Sequence, residues 1–254
     1  MKKIAIFTEG LTEQLFVCSA IRYLAGKRSL HIKRQKLLGG KKFPTILMNV
    51  GADDGNGDDC DLSFLMIDCA NDERVVSAIN DNYEHLIDQG YHVIFGVRDL
   101  RPSFTLDQLE RLLEGSLRAL PKGPVTPGLV IAVMEAEAWF IAEHSHFVRM
   151  DSSLTLEHIR AQLNIDVDVV SDEFSHPAKV LSEIYELAGL NYGKSQDDIN
   201  RTIEAIDLSE FRTGSVFDRS RSARVLFEHL EASMELASLV NEAAQLSDSE
   251  VASD

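Results

Sequence analysis

Residues 4–16 read Ile4-Ala5-Ile6-Phe7-Thr8-Glu9-Gly10-Leu11-Thr12-Glu13-Gln14-Leu15-Phe16. The opening run, KIAIF, is a short apolar stretch of the length of a buried strand. Thr8-Glu9-Gly10 ends it, and Gly10 permits a tight turn. From Thr12 the period changes. Phe16, Ala20, Tyr23 and Leu24 recur at i, i+4, i+7 and i+8, the stripe of an amphipathic helix. This switch from strand to helix, made at an acidic residue, decides the fold class because it recurs.

TILMNV and LSFLMID are further short apolar runs that read as buried strands. Val75, Ile79, Tyr83, Leu86 and Ile87 mark a second helix, closed by Gly90. HVIFGV is a strand that runs into Arg98-Asp99-Leu100-Arg101-Pro102. Thr105 and Gln108 have capping-box spacing before Leu109, Leu113, Leu117 and Leu120, and LVIAVME is the last apolar strand. Such alternation predicts an α/β fold with a mostly parallel sheet covered on both faces. Past about residue 145 the pattern is helical and acidic, with helices opening at Pro177 and running from about Ala223 to Ala237. The expected organisation is an α/β domain over 1–145, a helical part over 146–246 and an acidic, disordered tail over 247–254.

The chain has 254 residues, 44% hydrophobic and 26% charged, enough to bury a core and to exclude global disorder. It has no run of roughly 18 apolar residues, so no membrane span is expected. MKKIAIFTEG is too short an apolar stretch for a secretory signal, and Cys18, Cys60 and Cys69 lack paired spacing. A cytoplasmic protein with reduced thiols is expected.

The net charge of -16 is unevenly spread. Residues 1–50 carry ten basic side chains and two acids, hence +8, leaving -24 for the rest. Arg22, Lys27, Arg28, Lys33, Arg34, Lys36, Lys41 and Lys42 follow one another without an acid. Such a run can hold phosphates by releasing counterions, or it can be a solvated helix end and loop. The acidic string GADDGNGDDCD invites a calcium-loop reading. Counted from Asp54, however, Asp59 falls at the required Gly and Leu65 at the required Glu, so it reads as a polar turn.

In a parallel α/β sheet, ligands bind beyond the carboxyl ends of the strands. Three strands here carry acids at that end: Glu9, Asp99, and the pair Glu135 and Glu137. If these strands are neighbours, four carboxylates share one crevice. Converging carboxylates suit a hard cation such as Mg²⁺ (or Mn²⁺), which takes oxygen ligands and phosphate co-ligands. Metal-assisted phosphodiester chemistry needs such a site. The alternative is that acids end strands simply because strand ends are solvated.

IAIFTEGLTEQLF resembles the opening of TOPRIM-like proteins, where a strand ends in Glu-Gly and a Thr-Glu pair starts the next helix. VIFGVRDLRP resembles their later acidic strand. VMEAEAWFIAE is similar to the Glu-x-Glu segment of small stand-alone TOPRIM-like proteins, and HPAKVL, NYGKS, IDLSEFR and SVF to that subgroup's helical extension. Such proteins are distantly similar to overcoming-lysogenization-defect-type nuclease domains. The resemblance implies a four-stranded parallel sheet with flanking helices, used for Mg²⁺-dependent cleavage or transfer of phosphodiesters. It implies Glu9 as general acid/base, Glu13 as its support, and Asp99 as a metal ligand. Glu135 and Glu137 become further ligands or supports, and Lys194 a phosphate contact. One departure is clear: Arg101 stands where many catalytic members have a second Asp. Arg101 cannot ligate Mg²⁺, though it can clamp a phosphate.

The resulting expectation is a Mg²⁺-dependent nuclease acting on DNA or RNA in prokaryotic defence or repair. Its nucleic-acid contacts would be Arg28, Lys33, Arg34, Lys36, Lys41, Lys42, Arg101 and Lys194. A non-catalytic binding module working with a partner ATPase is the alternative, and a homo-oligomer is left open. The chain has no ATPase motif of its own. GLNYGKS lacks the first Gly of a phosphate loop, since Ala188 holds that position. His144 and His146 lack a third ligand and read as helix-end histidines. Trp139 reads as packing between sheet and helix, with base stacking as the alternative.

Overall fold

A computed structural model of the chain describes residues 2–40, 43–52, 60–71, 73–101 and 103–235. Lys41, Lys42, Pro102, the acidic string from Asp53 to Asp59, the last turn to Ala237 and the tail 247–254 lie outside the described residues. The strands are β1 (Lys2–Thr8), β2 (Leu30–Gly40), β3 (Phe43–Ala52), β4 (Leu62–Asp68), β5 (Val93–Asp99) and β6 (Gly128–Ala132). They form one sheet in the order β3-β2-β4-β1-β5-β6, parallel throughout except for the β2–β3 pair. The described sheet thus has two more strands than the resemblance implied.

The helices are α1 (Leu11–Ala25), α2 (Arg74–Asp88), α3 (Leu109–Ala119), α4 (Glu137–Ala142), α5 (His146–Met150), α6 (Leu156–Leu163), α7 (Pro177–Glu186), α8 (Gln196–Ala205), α9 (Glu210–Thr213), α10 (Val216–Arg219) and α11 over 221–235. Strand alternation sends β1 into two cores. Ile4 and Ile6 pack with Phe16 of α1, Trp139 of α4 and Phe227 of α11. Ala5 and Phe7 pack with Val75 and Ile79 of α2 and Leu112 of α3. That is why β1 reads as an unbroken apolar run: both of its faces are covered. Each fully buried Ile or Phe contributes about 1.5–3 kcal/mol. A Cβ at Gly96 would lie 2.6 Å from Val75 Cγ1 and 2.9 Å from Leu129 Cδ1, so glycine lets α2 close on β5.

Two stripe residues are corrected. Tyr23 of α1 and Leu117 of α3 are exposed. At 100° per residue the buried faces centre near Val17 and Ile21 in α1, and on Leu112 and Ser116 in α3, which leaves these two outside them. The basic run is corrected in part. Arg22, Lys27 and Arg28 do lie at the end of α1, but residues 30–40 are no loop: they form β2, in parallel register with β4 from Leu30↔Leu62 to Lys36↔Asp68. Only Ile32 and Leu37 of β2 are buried, one toward each core, so its apolar signal is too sparse to read as a strand.

β1 leads into α1 on one face of the sheet, whereas β4 leads into α2 on the other. Departure to opposite faces opens a crevice beyond the carboxyl ends of β4, β1 and β5.

Candidate functional site

The crevice has a volume of about 310 Å³, and its lining includes Glu9, Glu13, Lys36, Asp68, Asp99 and Lys194. The strand ends set these positions. Glu9 N donates to Val97 O (3.0 Å) and Cys69 N to Thr8 O (2.9 Å), which carries the ladder just past each acid. Glu9 Oε2 accepts the Asp99 amide at 2.8 Å, tying the ends of β1 and β5 together. Asp99 Oδ1 accepts from Ala136 N at 3.1 Å. Glu13 Oε2 accepts from Gly10 N at 2.9 Å, which supplies the return half of a capping box at the start of α1; Gly10 has no side chain to supply the other half.

Glu137 is fully buried behind this group. It accepts from Tyr192 Oη (2.9 Å), Lys194 Nζ (3.1 Å) and, at 3.5 Å, Thr12 Oγ1. Glu135 Oε2 accepts from Ala178 N (2.9 Å) in the first turn of α7. Lys194 has φ 57°, a left-handed conformation uncommon outside glycine. It is not the bland loop lysine that its sequence context allows, because its ammonium is paired with a buried carboxylate.

Burial, with Glu137 and Glu9 close by, pushes the Glu13 carboxyl up to about 8. Burial and then Glu13, Glu9 and Glu137 hold Asp99 well above the usual carboxylate range. Burial alone would lower Lys194, but Glu137 and Glu135 outweigh it and hold the ammonium above the ordinary lysine value. A raised carboxyl pKa means the folded state binds more protons than the unfolded one between about 4.5 and 8. Stability therefore falls as pH rises through that window, by up to about 1.4 kcal/mol per pH unit for one group. In EDTA, Glu13→Gln is expected to flatten the decline in melting temperature from pH 5 to 8. An unchanged slope would return Glu13 to an ordinary carboxylate.

The structure brings Glu9, Glu13, Asp99, Lys36 and Lys194 together, with Glu137 behind them. Other expected contacts fall elsewhere. Arg28 caps the far end of α1 through Leu24 O (3.0 Å) and Ala25 O (3.2 Å), roughly 20 Å along the helix from its start. Lys33 shares a small cavity with His85 of α2, on the sheet face opposite Lys36. Arg101 is not among the lining residues; its Nε lies 3.4 Å from Met134 Sδ.

Asp68 is an addition. It ends β4, accepts from Ala70 N (2.7 Å) and lies 3.4 Å from Lys36 Nζ. Its signal was readable, since LSFLMID ends in an acid just as IAIFTE does. Tyr192 had no comparable signal, because only the fold carries it to Glu137.

His146 is buried, bonded to Glu143 O and Tyr185 Oη, and burial drives its pKa down to about 3. Trp139 is wholly buried, and this excludes base stacking.

The crevice offers carboxylate oxygens as donors; burial first, and then mutual repulsion, raises Glu13 and Asp99, and a divalent cation would relieve the repulsion. The chemistry thus fits Mg²⁺ or Mn²⁺. As placed, no group of three or more His, Cys, Asp or Glu side chains among the described residues is spaced to hold an ion. Among those residues, too, no helix is long and apolar enough to cross a membrane. The chain matches no known protein-family model, curated protein or solved structure.

Proposed function

We propose that the chain is a TOPRIM-like, Mg²⁺- or Mn²⁺-dependent enzyme that cuts phosphodiester bonds in nucleic acid. The observation that supports this best is the convergence of Glu9, Glu13, Asp68 and Asp99 at the ends of three adjacent strands, with Lys36 and Lys194 among them. Glu9, Asp68 and Asp99 are the residues that would hold the cation. When bound, it would polarise the phosphate and supply activated water. The protein's own groups do the rest. Lys36 and Lys194 bring positive charge to a crevice that would otherwise repel a phosphate. Glu9 acts as general acid/base by the resemblance, and Glu137 holds Lys194 in place through the 3.1 Å contact. The helices over 146–235 correspond to the subgroup's extension, and the setting in cytoplasmic prokaryotic defence or repair rests on the same resemblance.

The test is incubation with plasmid DNA, tRNA and total RNA in Mg²⁺, Mn²⁺ or EDTA. Cleavage in either metal and none in EDTA is expected. No cleavage of any substrate, even with neighbouring gene products present, sinks the proposal. A second reading is a non-catalytic module that binds nucleic acid or protein beside a partner ATPase. It is favoured by the spacing of the carboxylates, none of which form a ready trio among the described residues. Binding without cleavage would select it.

The strand assignment sharpens the expected role of the basic run. Arg34 and Lys36 share the sheet face of the crevice, whereas Lys33 points to the other. Replacing Arg34 and Lys36 together by Ala should reduce the slope of log affinity against log salt by about 2. Lys33→Ala should leave the slope unchanged. Equal effects from both variants would remove the crevice face from nucleic-acid binding.

A further inference from the structure

On the opposite face of the sheet, α2 and α3 leave a cavity of about 540 Å³, larger than the carboxylate crevice. Val76 and Leu112 form apolar walls, and Phe104 stands at one end. Among the described residues, two charged side chains line it, Arg98 and Arg111, and no acid does. That selection is notable in a chain of net charge -16, on a helix that itself carries Glu110 and Glu114.

Arg98 is only 5% exposed, and its guanidinium lies 5.6 Å from the centroid of the Phe104 ring. Two small, exposed residues of α3, Gly115 and Ala119, leave one wall open. Gly115 sits inside the helix, where glycine is less favourable than alanine. A Cβ there would meet nothing within 4 Å, so close packing does not require glycine at this position.

We propose that this cavity binds a small organic anion, with an apolar body against Leu112, Val76 and the open wall at Gly115 and its acidic group toward Arg111 and Arg98. The volume lies in the range of small-molecule sites, and an apolar lining with a few charged groups is their usual composition. Guanidinium groups suit a carboxylate, sulfonate or phosphate by paired N–H donors. The site is distinct from the crevice, although Arg98 precedes Asp99 on β5 and its Nε lies 3.4 Å from the Asp99 main-chain oxygen.

The probe is anilinonaphthalene sulfonate, an apolar anion whose fluorescence rises when it leaves water. Its neutral relative phenylnaphthylamine serves as the comparison. Saturable binding at one site per chain is expected. Arg111→Ala, an exposed change, should weaken the sulfonate roughly tenfold while leaving phenylnaphthylamine unchanged. Gly115→Leu, which puts a branched side chain across the open wall, should weaken both in a protein that still melts cooperatively. Three results overturn the proposal: no saturable binding, an Arg111→Ala affinity equal to that of the parent, or equal affinity for the two probes. If Gly115→Leu does not fold, the Arg111→Ala comparison alone decides.

Discussion

Glu9→Gln is expected to lower metal-dependent cleavage by about 10²–10⁴-fold, the range for loss of one general acid/base. Glutamine has the same shape and still offers an oxygen to the Asp99 amide, which Glu9 Oε2 accepts at 2.8 Å. The connection between β1 and β5 should therefore survive, and the melting temperature should stay at or above that of the parent protein. The variant loses both the titratable proton and one unit of negative charge beside Asp99. Residual cleavage within threefold of the parent would remove Glu9 from the chemistry. A large loss together with a lowered melting temperature would instead assign it a structural part.

Trp139→Ala is expected to cost about 3–5 kcal/mol of folding free energy. That is a large share of the roughly 5–15 kcal/mol by which proteins of this kind are stable. Trp139 is wholly buried, and its ring centroid lies 5.4 Å from that of Phe16. Phe16 in turn packs on Phe140, Phe211 and Phe227, so one side chain joins α1 to α4, α9 and α11. The indole N–H donates to Ser222 Oγ at 2.9 Å, and Ser222 donates to the buried carboxylate of Asp172. Truncation would leave a cavity and remove a donor from that network. The change is read from the midpoint of urea unfolding followed by far-ultraviolet circular dichroism, because this is the chain's single tryptophan. A loss below about 1 kcal/mol would contradict the packing role.

The strand ends were legible as chemistry because a parallel sheet converts sequence position into spatial position. An acid that follows a buried strand projects at the carboxyl edge whatever the rest of the chain does, and Glu9, Asp68 and Asp99 obey this rule. Strands covered on both faces also announce themselves, as Ile4 to Phe7 do, because every residue must be apolar. β2 hid among its lysines for the opposite reason. Next to the edge strand, it buries only Ile32 and Leu37, and solvated positions accept almost any residue.

By itself, then, the sequence determined the α/β class, the buried strands and the acids that end them, since these depend on local period and polarity. The tertiary structure alone decided strand order, and with it which acids meet. It placed Lys36 beside Asp68 and Lys33 on the far face, each 32 residues in sequence from its β4 partner. It also carried Tyr192 and Lys194 to Glu137, across more than fifty residues of chain. Contacts of that range are set by how whole elements pack two cores at once, and no local pattern of residues encodes them.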